Sequence, residues 1–244
     1  MRKVFLFIFL CLFALISNGQ GEYSGGSAGS FGFNNSNIGR VVNLADMQGN
    51  SFLKKYEPNI NGSPFLNNNW AAAKITLSKG KEIAPLQVKF NLESNELYFI
   101  DSTNKEMIAV NGIVKRIDFF DLYTNDSIRY IFKNGYPSIG DQSSNFFYQS
   151  YSEGKLDLIG KKTKYISTTK DGYTGEVSKD FTDGVNVLYV VKNNSIQELQ
   201  YKKSFITSLM NDKANEINEF IDANKINLKK KTDLIKLFNY YNSL

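Results

Sequence analysis

The chain has 244 residues and a formal net charge of +5, and it contains no histidine and a single cysteine, Cys11. Without histidine it cannot form a Ser-His-Asp triad or a Cys-His pair, and it lacks the usual ligands of zinc and copper sites. The positive charge is mild and forms no dense Arg/Lys stripe, so nothing indicates nucleic-acid binding.

The N-terminus has the pattern of a secretory signal peptide over residues 1–19. A basic start precedes an apolar run, Val4 to Ile16, that is too short to cross a bilayer. Small residues at Ser17 and Gly19 predict cleavage after Gly19. We therefore expect an exported protein that is periplasmic, associated with the outer membrane or secreted, with no transmembrane span in the mature chain.

Cys11 lies inside the apolar run and follows Leu10. A lipoprotein cysteine would instead follow a small residue at the end of such a run, so we interpret Cys11 as part of the signal peptide. The mature chain then has no cysteine, and it must be stabilised by burial rather than by disulfides.

The remaining chain divides into three predicted segments. Residues 20–39 are rich in Gly, Ser and Asn and predict a flexible leader. Residues 40–203 are predicted to form an antiparallel β domain, and residues 204–244 are predicted to form helices packed on it. The mature length is enough for one sizeable core with a small appendage.

The stretch Asn61-Gly62-Ser63-Pro64 has the residues of a tight turn. Ser63 has no imidazole to activate it, so we interpret it as a turn residue and not as a nucleophile; a Ser-Lys pair is the remaining catalytic alternative. We expect Phe65, Leu66 and Trp70 to close one end of the sheet that follows.

From Ala71 to about Gln200, short apolar runs recur at intervals of roughly ten residues, which is typical of an antiparallel all-β domain. In the strand Leu86–Leu92, apolar and polar residues alternate without a break. Turn dipeptides separate the runs: Lys79-Gly80, Asn111-Gly112, Asn134-Gly135, Glu153-Gly154, Asp171-Gly172, Asp183-Gly184 and Asn193-Asn194.

We predict about eight to eleven strands in a meander that curls into a roll, a sandwich or a partly closed barrel. Asp141–Asn145 and Ser167–Lys179 are predicted as longer loops. The strand candidates after the first three are Leu97–Ile100, Met107–Val110, Ile113–Phe120, Ile128–Phe132, Phe146–Tyr151, Leu156–Ile159, Val185–Val191 and Ile196–Leu199.

After Tyr201 the apolar residues recur at three-and-four spacing, which predicts two or three short helices over 204–243. These helices are expected to cover one end or face of the sheet. Asn211 or Asp212 and Asn227 are predicted as helix caps.

Three strings carry a resemblance to a known family: "GSPFLNNNW", "ITLSKGKEIAPLQVKFNLESNELYF" and "ANKINLKKKTDLIKLFNYYNSL". Together they resemble an uncharacterised family of exported proteins from Bacteroidetes-type bacteria, in which a Gly-x-Pro-aromatic-Leu turn precedes a β-meander and a helical tail. The resemblance covers residues 62–244. It implies export and the β-then-α order, and it assigns no activity, cofactor or site residues.

Acidic residues suggest two alternatives. Asp171, Asp180 and Asp183, with Glu176, supply the oxygens that calcium prefers, but without the spacing of a calcium loop. A solvated loop is the simpler interpretation, and whether they bind calcium stays open. Asp118 is the other candidate, as half of a glycosidase carboxylate pair with Asp121. Strand alternation would place these two on opposite faces, however.

The aromatic run "SSNFFYQSYSEG", with Tyr130, Phe132 and Tyr136 nearby, suggests a sugar-stacking platform or the lining of an apolar ligand cavity, but ordinary packing in strands is the favoured interpretation. The basic run Lys229-Lys230-Lys231 is interpreted as a solvated helix face because three lysines are too few for stable membrane anchoring.

The sequence therefore predicts a non-enzymatic exported protein that binds an envelope partner or a ligand, with no catalytic, metal or cofactor residues and with unknown ligand-binding residues. A carboxylate-dependent glycosidase or other hydrolase is one alternative. A carrier of a lipid or other apolar molecule is another, because a cavity wall and a core have the same alternation.

Overall fold

The computed structural model describes residues 49–51 and 59–244. The predicted signal peptide (1–19), the predicted leader (20–39) and the first part of the predicted β domain lie outside these residues, apart from positions 49–51.

Fourteen strands lie within the described part of the chain: β1 (Gly49–Ser51), β2 (Ile60–Asn61), β3 (Ala71–Leu77), β4 (Glu82–Asn91), β5 (Glu96–Ile100), β6 (Glu106–Ala109), β7 (Val114–Tyr123), β8 (Arg129–Lys133), β9 (Tyr148–Ser152), β10 (Asp157–Lys161), β11 (Lys164–Lys170), β12 (Val177–Asp183), β13 (Val187–Lys192) and β14 (Ser195–Glu198). The helices that follow are α1 (Lys203–Leu209), a 3₁₀ helix (Asn211–Lys213), α2 (Ala214–Ala223) and α3 (Lys231–Ser243). With 43% strand and 18% helix, the predicted mainly β class with a helical C-terminal segment is confirmed.

Eleven strands form one antiparallel sheet in the order β1-β6-β5-β4-β3-β7-β8-β9-β10-β13-β14. A smaller sheet has the order β11-β12-β2, and its β12–β2 pair is parallel. Neither sheet closes into a barrel. The large sheet is not one continuous meander, because the chain returns after β6 and pairs β7 with β3. This return covers the free edge of β3, whose Ala73 and Ile75 are fully buried.

One row of side chains crosses six neighbouring strands of the large sheet. From β3 to β13 the row contains Ile75, Ile117, Phe132, Gln149, Gly160 and Leu188. Directly paired residues share one face of a sheet. The first three residues belong to one apolar cluster and Leu188 belongs to a second, so the two clusters lie on the same face with Gln149 and Gly160 between them.

The first cluster is built on β3 to β8 and includes the rings of Phe90, Phe132 and Phe147, which meet in tilted and edge-on contacts. The ring centroids of Phe90 lie 4.5 Å from Phe132 and 5.7 Å from Phe147. Asn95, in the β4–β5 turn, donates to the Phe147 carbonyl at 3.1 Å and accepts from its amide at 2.7 Å. These bonds tie the turn to the start of β9, so the sheet curls around the cluster.

The segment before β3 packs on the end of β4. Leu66 contacts the first cluster, and its amide donates to the Phe90 carbonyl at 2.8 Å. Phe65 packs edge-on against Tyr98 at 5.2 Å. Trp70 is half-buried beneath the Lys89 ammonium, 5.0 Å from the ring centroid.

The second cluster lies between the helices and β10 and β13. Leu234, Leu237, Phe238 and Tyr241 of α3 are buried at three-and-four spacing, as the sequence predicted. They pack with residues of the sheet such as Leu158.

The predicted helix caps are wrong. None of the described helices begins with a side-chain cap hydrogen bond. Asn211 and Asp212 lie inside the 3₁₀ helix, and Asp212 accepts from the Tyr241 hydroxyl at 2.8 Å. Asn227 accepts from the Lys229 amide at 3.0 Å, ahead of α3. Asp212 thus binds a distant partner that the local sequence does not reveal, and Asn227 binds an amide that precedes the helix.

The predicted loop Ser167–Lys179 is also wrong, because most of it forms the β11–β12 hairpin around a turn at 171–176. Thr168 and Thr169 are exposed, as are most residues of the hairpin. A hairpin with little buried surface has no apolar alternation, so periodicity could not detect it. The Asn193-Asn194 turn was predicted correctly: both residues have positive φ, and they connect β13 to β14 as a two-residue loop.

Asn242 fastens the last turn of α3 to the β9–β10 turn. Its Oδ1 accepts from the Leu156 amide at 3.0 Å, and its Nδ2 donates to the Leu156 carbonyl and to Ser152 Oγ, both at 3.0 Å. The side chain therefore satisfies backbone groups that strand pairing leaves unpaired.

We predict that Asn242→Ala lowers the free energy of unfolding by about 1–3 kcal/mol, because it removes these bonds and leaves partly buried backbone groups without a partner. Asn239 is exposed on the same helix. As the matched control, Asn239→Ala should change stability by less than about 0.5 kcal/mol. Urea unfolding followed by circular dichroism compares the two; equal losses would contradict the proposed fastening.

Gly160 has no room for a side chain. A Cβ at this position would lie 2.6 Å from Cε2 of Tyr151 and 3.2 Å from Cδ2 of Leu188. The Tyr151 ring therefore lies directly on the backbone of β10.

We predict that Gly160→Ala destabilises the protein by about 1–3 kcal/mol, because the added methyl displaces the Tyr151 ring from a packed position. Gly172 is the matched control, since nothing lies within 4 Å of a Cβ built there. Thermal unfolding of both variants is the measurement. A neutral Gly160→Ala would show that the ring moves aside freely.

Candidate ligand-binding cleft

Ser63 forms a turn in the structure. Its Oγ accepts from the Phe65 amide at 3.3 Å, and its carbonyl accepts from the Lys164 ammonium at 2.7 Å. Lys164 thus binds the backbone of Ser63 and makes no hydrogen bond with its hydroxyl. This arrangement does not activate the serine.

Asp118 and Asp121 are not brought together. Asp118 accepts two bonds from Arg116, at 2.8 and 3.0 Å, whereas Asp121 is exposed and lies an odd number of residues away along β7. Arg116 also binds Glu153 at 2.5 Å. Asp118 is therefore part of an ion-pair network, which Lys133 and Asp157 complete.

The ion-pair network crosses β7 to β10 on the outer face of the sheet. Lys133 lies 3.2 Å from Glu153 and 3.7 Å from Asp157, and the Tyr136 hydroxyl donates to Asp157 at 3.2 Å. Burial opposes ionisation of Glu153, but hydrogen bonds from Arg116 and Ser150 outweigh it and hold its pKa below the ordinary value. A glycosidase general acid needs a raised pKa instead, so Glu153 is not suited to that role.

The acidic residues of the predicted calcium loop are spread along the β11–β12 hairpin. Asp171 lies at the turn, where it accepts from the amides of Tyr173 and Thr174. Asp183 lies at the other end of the hairpin, opposite Lys164. Among the described residues, no group of three or more His, Cys, Asp or Glu side chains is arranged to hold a metal ion.

Most of the aromatic run is packed in the interior. Phe147 belongs to the first apolar cluster, and Tyr136 and Tyr148 belong to a third cluster with Ile159 and Tyr189 on the other face of the sheet. The exceptions are Tyr130 and Tyr151, which line a cleft on the face that carries the first two clusters. Lys231 also lines this cleft, while Lys229 and Lys230 are exposed.

The cleft lies where the large sheet, the small sheet and the start of α3 meet, and it has a volume of about 380 Å³. This volume is at the lower end of the range for small-molecule pockets. Polar side chains supply most of the lining; in the described part of the chain, Leu66 and Leu92 are its only aliphatic members.

Gln149 and Tyr151 form the floor of the cleft, and the Tyr151 ring lies on Gly160 beneath it. Gln149 is 1% exposed, and its Oε1 accepts from the Tyr151 hydroxyl at 3.0 Å. Its Nε2 has no hydrogen-bond partner among the described residues. A buried donor without an acceptor destabilises the folded protein by about 1–3 kcal/mol. A ligand that accepted a hydrogen bond from Nε2 would offset this free-energy cost.

Three ammonium groups surround this floor. Lys231 lies 3.6 Å from Asp126 and sits over the Tyr151 ring at 5.5 Å. Lys164 donates to the carbonyl of Ser63, as described above. Burial, followed by the charges of Lys231 and Lys164, lowers the pKa of Lys162, against the opposing effect of Asp183.

The remaining wall offers hydrogen-bonding groups and one further ring. Asn125 and Asn186 carry amides, and Asp126 and Asp183 carry carboxylates. Burial and the charge of Asp183 raise the pKa of the Tyr130 phenol, so it stays protonated at neutral pH. The wall can therefore both donate to and accept from hydroxyl groups.

One local pattern in the sequence points to this site. Gln149 follows Phe147 by two residues, so strand alternation places an amide on the same face as a core phenylalanine. A polar residue at an inward position is informative. Lys162, Lys164 and Lys231 gave no such signal, because they meet only through the tertiary fold.

Comparison of the chain with protein-family models, curated proteins and solved structures finds no match. Among the described residues, no helix has the length and apolar character required to cross a membrane. The chemistry of the cleft is therefore the basis for a functional interpretation.

Proposed function

We propose that this chain is an exported, non-enzymatic binding protein of the cell envelope that holds a polar ligand in the cleft. The observation that carries the proposal is that Gln149 lines a cleft while its buried Nε2 has no hydrogen-bond partner among the described residues. Buried polar groups in folded proteins are nearly always paired. A ligand acceptor is the partner that the cleft can admit.

Export is supported by the signal-peptide pattern of residues 1–19 and by the resemblance of the chain to an exported family. The proposed locations are the periplasm, the outer membrane and the medium.

The polar lining favours a polar ligand over a lipid. A carrier of an apolar molecule needs an apolar wall, whereas the floor and rim here carry amides, carboxylates and ammonium groups. A non-enzymatic role is supported by the residue types. The sequence has no histidine, and the carboxylate of Asp126 is paired with Lys231 at 3.6 Å.

The test uses the side-chain amide of Gln149 as a reporter. We expect ¹⁵N-¹H spectra to show its resonance shifting with at least one polar probe from a panel of glucose, cellobiose, glucuronate, digalacturonate and inorganic phosphate. Gln149→Met removes the donor and should weaken binding of that probe by about 1 kcal/mol, or roughly fivefold.

Gln197→Met is the matched control, because Gln197 is exposed on β14. It should leave the affinity unchanged. Palmitate serves as the apolar probe, and resonance shifts with palmitate alone would indicate an apolar carrier instead. Cleavage of cellobiose or digalacturonate during the titration would indicate a hydrolase. No shift with any probe would overturn it.

A further inference from the structure

Resting on the proposed binding role, we infer that the ligand is an acidic sugar, and that its carboxylate binds at Lys162 while its hydroxyl groups bind the carboxylates and amides of the wall. The lysine ammonium groups that line the cleft differ in whether they already have a partner within the protein.

Lys231 and Lys164 are both engaged within the protein. Lys231 has a carboxylate partner in Asp126 at 3.6 Å, and Lys164 donates to the carbonyl of Ser63 at 2.7 Å. Lys162 has no carboxylate within 4.0 Å among the described residues, although it lines the same cleft and is half-buried. Asp183 attracts the Lys162 ammonium without forming an ion pair with it, and burial together with Lys231 and Lys164 still lowers the pKa of Lys162. A half-buried ammonium without a direct ion pair is costly, and an anion bound next to it in the cleft would offset part of that cost.

Two other features favour an anion beside Lys162. Helix α3 begins at Lys231, which lines the cleft, so the positive end of the helix dipole lies at the rim. No side chain caps this helix end. Gln149 Nε2 provides an unpaired donor at the floor. A carboxylate accepts hydrogen bonds from both kinds of group.

The acidic residues of the cleft limit the charge of the ligand. Asp126 and Asp183 would repel a dianion such as a phosphate monoester, and within residues 59–244 no arginine lines the cleft to bind one in a bidentate manner. The same carboxylates accept hydrogen bonds from hydroxyl groups. The balance of three lysines and two aspartates therefore fits a single negative charge on a hydroxyl-rich molecule.

The tyrosine rings indicate the shape of this molecule. Tyr130 and Tyr151 both line the cleft. The position of Tyr151 is fixed by Gly160 and by Gln149, and the Lys231 ammonium already lies over its ring, so the Tyr130 ring is the one left to pack against a ligand. Aromatic faces pack against the C–H faces of ring-shaped ligands while polar groups bind their edges. An acidic sugar unit or a short acidic saccharide combines these properties.

Isothermal titration of the chain purified from an exporting host tests the inference with matched probes. We expect glucuronate or digalacturonate to bind, and glucose or digalactose to bind about tenfold or more weakly. Lys162→Met should weaken binding of the acidic probe by about ten- to a hundredfold and leave binding of the neutral probe unchanged. Lys162→Arg keeps the charge and should restore most of the affinity.

The same variant gives an independent readout. Because Lys162→Met removes a desolvated charge, it should raise the melting temperature of the ligand-free protein. Lys236→Met, at an exposed position of α3, is the control and should alter neither affinity nor melting temperature. If Lys162 had only a structural role, Lys162→Met would lower the melting temperature instead.

The outcomes separate the two proposals. Equal binding of acidic and neutral sugars, or an unchanged affinity in Lys162→Met, would overturn the acidic-sugar inference and leave the binding role intact. Competition by inorganic phosphate at equal concentration would reassign the anion as phosphate. Failure of every probe to bind the unmodified chain would remove both.

Discussion

The contact between Tyr151 and Gly160 is the constraint on which the rest of the cleft depends. A side chain at position 160 would occupy the space of the tyrosine ring, so the glycine lets the ring lie on the sheet. From there the Tyr151 hydroxyl orients the amide of Gln149, and the ring face receives the ammonium of Lys231. One missing methyl group thus places an amide, an aromatic ring and a charge beside one another.

The opposite face of the sheet supplies the rigidity that this arrangement requires. Arg116 links Asp118 and Glu153, so charged hydrogen bonds connect β7 with the end of β9. Lys133 extends the connection to Asp157 on β10. Partly exposed ion pairs contribute little to stability singly, but a network across four strands fixes the register of the strands that carry the floor of the cleft.

Sequence reasoning succeeded where structure is local. Alternation found the strands of the large sheet from β3 onwards, three-and-four spacing found the buried stripe of α3, and Asn193-Asn194 marked a hairpin turn. It failed for the β11–β12 hairpin, which is mostly solvent-exposed, and for the helix caps, because Asp212 binds the distant Tyr241 and Asn227 binds an amide ahead of α3. It could not identify the cleft, because nothing near Lys162 in the sequence indicates that Lys231 lies beside it.

The residues that line the cleft are far apart in the sequence, and this affects when the cleft forms during folding. Its lining runs from Leu66 to Lys231 and draws on both sheets and on the last helix. Contacts between residues so far apart form late, since each closes a long loop before it stabilises anything. The pocket therefore comes into existence only when α3 docks, and nascent or partly folded chains would present no receptor for the ligand.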